Sequence, residues 1–174
     1  MHRIILALAI AVLTPGIAAA SEKTDVMATV HQWVDGINKG DTKMTLAACA
    51  DQTSIIDDIP PHEWHGSGAC SKWMNDFDAW AKKNEVTDSN VTLSKSRHVD
   101  ITADRAYVVV PVNLTFKQKG KLVKEPSAMV TFALQKSDAG WRITGWAWAD
   151  WSPVEVCSGP RIHCRQVAPT MRVA

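Results

Sequence analysis

The sequence predicts an α+β fold, a strongly bent antiparallel sheet packed on about three N-terminal helices, and three observations predict it. Apolar residues recur at helical spacing up to Asn84, they alternate at strand spacing from Val91 onward, and breaks rich in Gly, Pro and Asp separate the segments. Helices first and an antiparallel meander after is the order of an α+β domain.

Residues 1–20 come first. A basic start (His2, Arg3), an apolar run from Ile4 to Leu13 and the small residues Ala18-Ala19-Ala20 before Ser21 have the pattern of a cleaved secretory signal. A membrane-spanning helix needs about 20 apolar residues, and Thr14-Pro15-Gly16 interrupts this run. The expected product is secreted or periplasmic, with no membrane span after signal cleavage.

Val26, Val30, Trp33, Val34 and Ile37 then mark an amphipathic helix of about four turns, with Thr24 or Asp25 to cap its start and Gly40 to stop it. Asp41 can cap a second, shorter helix carrying Met44, Leu46, Ala47 and Ala48. Thr53-Ser54-Ile55-Ile56 reads as a strand, which Pro60-Pro61 ends because proline lacks the ladder donor. A third helix is expected from about Ser67 to Asn84, with Trp73, Phe77, Trp80 and Ala81 on one stripe.

Val91-Thr92-Leu93 and Val99-Asp100-Ile101 suggest one strand with an irregular middle. Val108, Val110, Val112, Leu114 and Phe116 alternate with more polar neighbours along a long second one. Lys119-Gly120-Lys121 turns the chain into a strand over Val123–Gln135. Ser137-Asp138-Ala139-Gly140 turns it again into Trp141–Trp148. Four of the eight tryptophans (Trp141, Trp146, Trp148, Trp151) crowd this end. Trp141 and Ile143 differ in parity from Trp146 and Trp148, so either Gly145 makes a bulge or both faces of the strand are covered. In the second case the Trp146/Trp148 face is a candidate dimer interface. Residues 152–174 read as an irregular extension of a domain spanning 21–151.

Four cysteines in an exported chain favour two disulfides, for which three connectivities exist. Cys157 and Cys164 flank a Gly-Pro turn and are paired here, leaving Cys49 with Cys70. Without residues 1–20 the chain loses one basic residue, Arg3, leaving 18 Lys+Arg against 18 Asp+Glu. That balance argues against nucleic acid as a partner, which needs clustered positive charge. The dense basic stretch Lys117-Gln118-Lys119-Gly120-Lys121 reads as a solvated hairpin tip. Asn90-Val91-Thr92 and Asn113-Leu114-Thr115 are sequons of use only in a eukaryotic secretory pathway.

Asn38-Lys39-Gly40-Asp41, Ala50-Asp51, Asp57, Gly66 and Gly140-Trp141-Arg142-Ile143, in that order and spacing, resemble the nuclear transport factor 2-like superfamily, which includes SnoaL-like cyclases and ketosteroid isomerase. The resemblance covers about residues 24 to 151. It implies a cone-shaped barrel with one open pocket, often a homodimer through the outer sheet face. It also places Asp57 where ketosteroid isomerase has its general base. Trp33 falls where that family has an oxyanion-hole tyrosine, and Val130 or a neighbour falls where it has a protonated aspartate. Valine can donate no hydrogen bond, and losing one oxyanion donor typically costs about 100 to 1,000-fold in rate, so steroid isomerase activity is not expected.

The candidate site therefore centres on Asp57, as a buried base or pocket residue, with Asp58 facing solvent if the strand persists. Trp64 and His65 are candidate lip residues, His65 also an acid/base partner of Asp57. Trp33 and Trp148 are candidate ligand contacts, joined by Tyr107 and Asn113 if their face of the long strand is the concave one. His62 and His65, three apart on a proline-led loop, lack the helical frame of H-E-x-x-H, so neither metal nor cofactor is expected. The leading expectation is binding of a small apolar or amphipathic molecule. The second is a SnoaL-like proton-transfer isomerase, hydratase or cyclase with Asp57 as general base. The third is a dimeric scaffold whose cone is plugged by its own indoles. An open cavity of roughly a few hundred Å³ would favour the first two.

Overall fold

The computed structural model describes the backbone of residues 15–149, 154–158 and 163–167, with side chains from Ala20 to Ala149 apart from Ser127. Helix α1 (Pro15–Lys39) presents Val26, Val30, Trp33 and Val34 as one buried stripe. It begins earlier than expected: Thr24 is inside it, its hydroxyl donating to Ala20 O at 3.0 Å instead of capping. Ala18-Ala19-Ala20 and the following Glu22 and Lys23 are good helix formers, and Pro15 suits a first helical position. Among the described residues the buried stripe lies after Ser21, so cleavage there would keep this packing face of α1.

Gly40, at φ +64, ends α1, and Asp41 caps α2 (Thr42–Ala48) by accepting from Met44 N at 2.9 Å. The two helices meet at Gly36, where an added Cβ would run into the buried Thr45 hydroxyl and come 2.7 Å from its backbone nitrogen. Gly36→Ala is accordingly expected to destabilise the fold by about 2 kcal/mol, read as a lowered thermal midpoint. An unchanged midpoint would mean that α2 is free to move away.

All strands belong to one curled, non-closed sheet. Its order is β2 (Glu63–Ser67), β1 (Cys49–Ile56), β7 (Gly140–Ala149), β6 (Lys121–Ser137), β5 (Arg105–Gln118) and β3 (Val86–Leu93), with β4 (His98–Thr102) also on β5. β1 lies parallel to β7 and the other pairs are antiparallel. The stretch expected as a loop around His62–His65 supplies the edge strand β2. β1 ends at Ile56, ahead of the prolines, and His62 at φ 76 and the Asp57 N–His62 O bond of 3.0 Å reverse the chain back onto it. The strand with an irregular middle is β3 and β4 on a common neighbour, bridged by Ser94 and Arg97 N–H groups donating to Pro111 and Val109.

The tryptophan phase problem is resolved by a bulge. Ala133 pairs with Gly145 and Leu134 with Ile143, leaving Thr144 unmatched, so Trp141, Ile143 and Trp146 are all buried despite their parities. Gly145 is where β1 comes closest: a Cβ there would sit 2.9 Å from Ser54 O. The Trp146/Trp148 face is therefore no outer dimer interface, because Trp146 lies in the core and Trp148 packs against it.

α3 (Ala69–Lys83) and α1 cover the concave face, whose centre is Val108, Val110, Val112, Val130, Phe132 and Leu134. Cys49 and Cys70 form a disulfide that ties the end of α2 to the start of α3. Beyond residue 151 the expectation of an irregular extension needs correcting: β8 (Val154–Ser158) pairs with β6, and β9 (His163–Val167) with β8. Cys157 and Cys164 stand opposite one another in that register. The disulfide expected between them depends on side chains outside those described.

Candidate functional site

The site is assembled at one end of β1 by three elements. α1 contributes Trp33 and Ile37, α3 contributes Trp73, Phe77 and Trp80 at intervals that keep them on one face, and the sheet contributes Leu114, Phe116, Glu125 and Trp148. Between them lies a cavity of about 70 Å³, open to solvent at its mouth. It is narrower than the few hundred Å³ expected because indoles occupy the deep end. Trp33, Trp73 and Trp146 form a cluster with ring centroids 4.8–5.8 Å apart, and Phe132 stands edge-on to Trp33 at 5.5 Å.

Asp57 lies on the cavity wall and is only 9% exposed. Its Oδ2 accepts the Trp73 indole N–H at 2.7 Å, and its Oδ1 the Ile59 N–H at 3.4 Å. Burial, reinforced by the hydrogen bond and charge of Asp58, pushes its pKa up to about 8, and the two donors only partly offset this. At neutral pH the carboxyl is thus chiefly protonated and can both donate and accept.

Asp58 is exposed, as expected, and it also borders the cavity. The strand stops at Ile56, so its alternation does not carry through, and Asp58 joins Asp57 on the cavity wall. His65 lies opposite Ser54 in β2, largely exposed, with Nε2 3.3 Å from Glu63, and does not line the cavity. It therefore does not share the cavity wall with the Asp57 carboxyl. Trp64 is no lip residue either: it is buried, and its indole N–H donates to Asp76 at 2.8 Å, pinning β2 to α3. Tyr107 and Asn113 are exposed and absent from the cavity wall, because the concave face belongs to the valine stripe of β5. Trp33 and Trp148 do line it. The Trp33 N–H is buried without a hydrogen-bond partner. Among the described residues no three His, Cys, Asp or Glu side chains gather in a metal-holding group.

Two residues escaped the sequence reading. Glu125, 2% exposed, faces inward opposite Leu114, and its shared parity with the buried Val123 was the available signal. Trp73 was visible as part of a helical stripe, but its bond to a carboxylate sixteen residues earlier was not. The assembled arrangement combines aromatic and aliphatic walls with a few acidic groups, the composition of a small-molecule site.

Residues 26–147 match the family model of the SnoaL-like domain. No curated protein is significantly similar in sequence. Among solved structures, a nuclear transport factor 2-like superfamily protein from Salmonella enterica serovar Typhimurium superposes with a TM-score of 0.65 at 14% identity, over 77% of this chain and 94% of its own. A ketosteroid isomerase-like protein from Erwinia carotovora atroseptica gives 0.60 at 18% identity, over 76% and 98%. A hexachlorocyclohexane dehydrochlorinase of type 2 gives 0.64 at 12% identity, over 89% and 96%. At these identities the likeness is one of fold, which many activities share.

Proposed function

Because the chain belongs to the SnoaL-like domain family, we propose that it binds a small, largely apolar molecule in this cavity, with Asp57 at the polar end. The observation that carries the reading is the buried Asp57 carboxyl on an aromatic wall. Such a group costs stability and fills no packing need, which is how binding and catalytic groups differ from structural ones. Export fits the reading: the chain holds a disulfide, and among the described residues no helix is long and apolar enough to cross a membrane. The homodimer implied by the family would use the outer sheet face, where Tyr107 is about half exposed.

A fluorescence screen tests it, because Trp33, Trp73, Trp80 and Trp148 all line the cavity. Small aromatic ligands are expected to shift or quench indole emission saturably. Emission unaltered by any of them at millimolar concentration would contradict the proposal.

The enzyme reading, Asp57 as general base for proton transfer, is favoured by the same elevated pKa of about 8. It ranks second because the described lining holds no Lys, Arg or His to stabilise developing negative charge. Should a ligand from the screen be turned over, its rate is expected to rise with pH through about 8 and to vanish in Asp57→Asn.

A further inference from the structure

We propose that the C-terminal hairpin, β8 and β9, is the outer wall of this binding site, and that the ligand is an elongated apolar molecule whose far end rests on the hairpin at Val156. The inference rests on the small-molecule reading above and adds the ligand's length and the segment that recognises it. The family match ends at residue 147, so the hairpin lies outside the matched domain. It occupies a position that β7 leaves open. β7 reaches only as far as Ala149, opposite Met129, and β8 continues along the same side of β6, opposite Leu122, Val123 and Lys124. Without β8 that stretch of β6 would be an open sheet edge.

The register carries the concave face onto the hairpin. Phe116 stands opposite Val123, and Val123 opposite Val156. Directly opposed residues of antiparallel strands share a face. Phe116 lines the cavity, and Val123 packs with Phe116, Val86 and Trp80, all three of them cavity residues. Val156 therefore continues the face that holds the cavity, while Glu155 and Cys157 fall on the other face. Val154 has the parity of Val156, so β8 alternates apolar and polar as a strand with one sheltered face does. The size of the cavity gives this face its role. At about 70 Å³ it is well below the roughly 300–1,000 Å³ of ordinary small-molecule sites. A ligand of usual size extends past it, and on the sheet side the concave face continues as the hairpin.

The test is calorimetric titration of phenol and 2-naphthol, a one-ring and a two-ring neutral probe, into the wild type, Val156→Asp and Glu155→Gln, each verified as folded by circular dichroism. Val156→Asp is expected to weaken 2-naphthol about tenfold, by putting a charge where the second ring lies, and to leave phenol within about twofold. Glu155→Gln, on the other face, is expected to leave both probes within about twofold. Should Val156→Asp fail to fold, Val156→Ala is expected to weaken 2-naphthol about threefold and to spare phenol. Unaltered 2-naphthol binding in the Val156 variant, or an equal loss of both probes, would overturn the hairpin inference and leave the small-molecule reading standing. Binding of neither probe to the wild type would remove both.

Discussion

Asp57→Asn is expected to stabilise the protein at pH 8 by about 3 kcal/mol and to leave it within about 1 kcal/mol of the wild type at pH 4. Unfolded, Asp57 ionises near its ordinary 3.8, and folded it keeps its proton up to about 8. Between those values the native state binds more protons than the unfolded one, so its stability falls as pH rises. Below 3.8 both states are protonated, and above about 8 both are ionised, so the slope from this group vanishes at each end. At about 1.4 kcal/mol per pKa unit the loss across the window from 3.8 to about 8 is at most about 6 kcal/mol. Asparagine reproduces the protonated acid: its carbonyl can accept from Trp73 and its amide can donate to Asp58. Urea unfolding of both proteins at pH 4, 6 and 8 checks this. Parallel stability curves would show that the wild-type carboxyl ionises normally.

The Cys49→Ser, Cys70→Ser double variant is expected to lose about 3 kcal/mol, from the unfolded-chain entropy released when a loop of this length is opened. The separation is 21 residues, and Cys70 is 4% exposed in the first turn of α3. Trp73 follows three residues later, so the bridge also fixes the indole that donates to Asp57. Loosening it should therefore weaken ligand binding as well as stability. Urea unfolding measures the first effect and the fluorescence titration the second. A variant as stable as the wild type would mean that packing of Cys70 and Trp73 alone holds α3 in place.

Periodicity made the helices and the meander legible, because Val26, Val30, Trp33 and Val34 bury one helical face and Val108, Val110 and Val112 one strand face. That Asp57 is buried beside a cavity was legible from its place after β1. What failed was anything set by a break in the period. Asp58 is exposed as expected, but its place at the cavity edge was hidden because β1 stops at Ile56 and the alternation does not carry through. Tyr107 and Asn113 depended on choosing which face of β5 is concave, and the buried valines decide that choice against them. His65 and Trp64 were treated as loop residues because the pairing that makes Glu63–Ser67 a strand is with β1, not with its own neighbours. Glu125 shares the parity of the buried Val123, but a bulge between Val112/Ala128 and Leu114/Glu125 breaks its phase from the inward Val130 and Phe132 further along β6.

The most direct test is the titration of the Asp57 side-chain carboxyl carbon by 13C NMR, assigned by its loss in Asp57→Asn. A midpoint near 8 is the predicted result, as befits an acid buried against the indole wall of the cavity. A midpoint near 4 would place that carboxyl in ordinary contact with water and contradict the account at its centre.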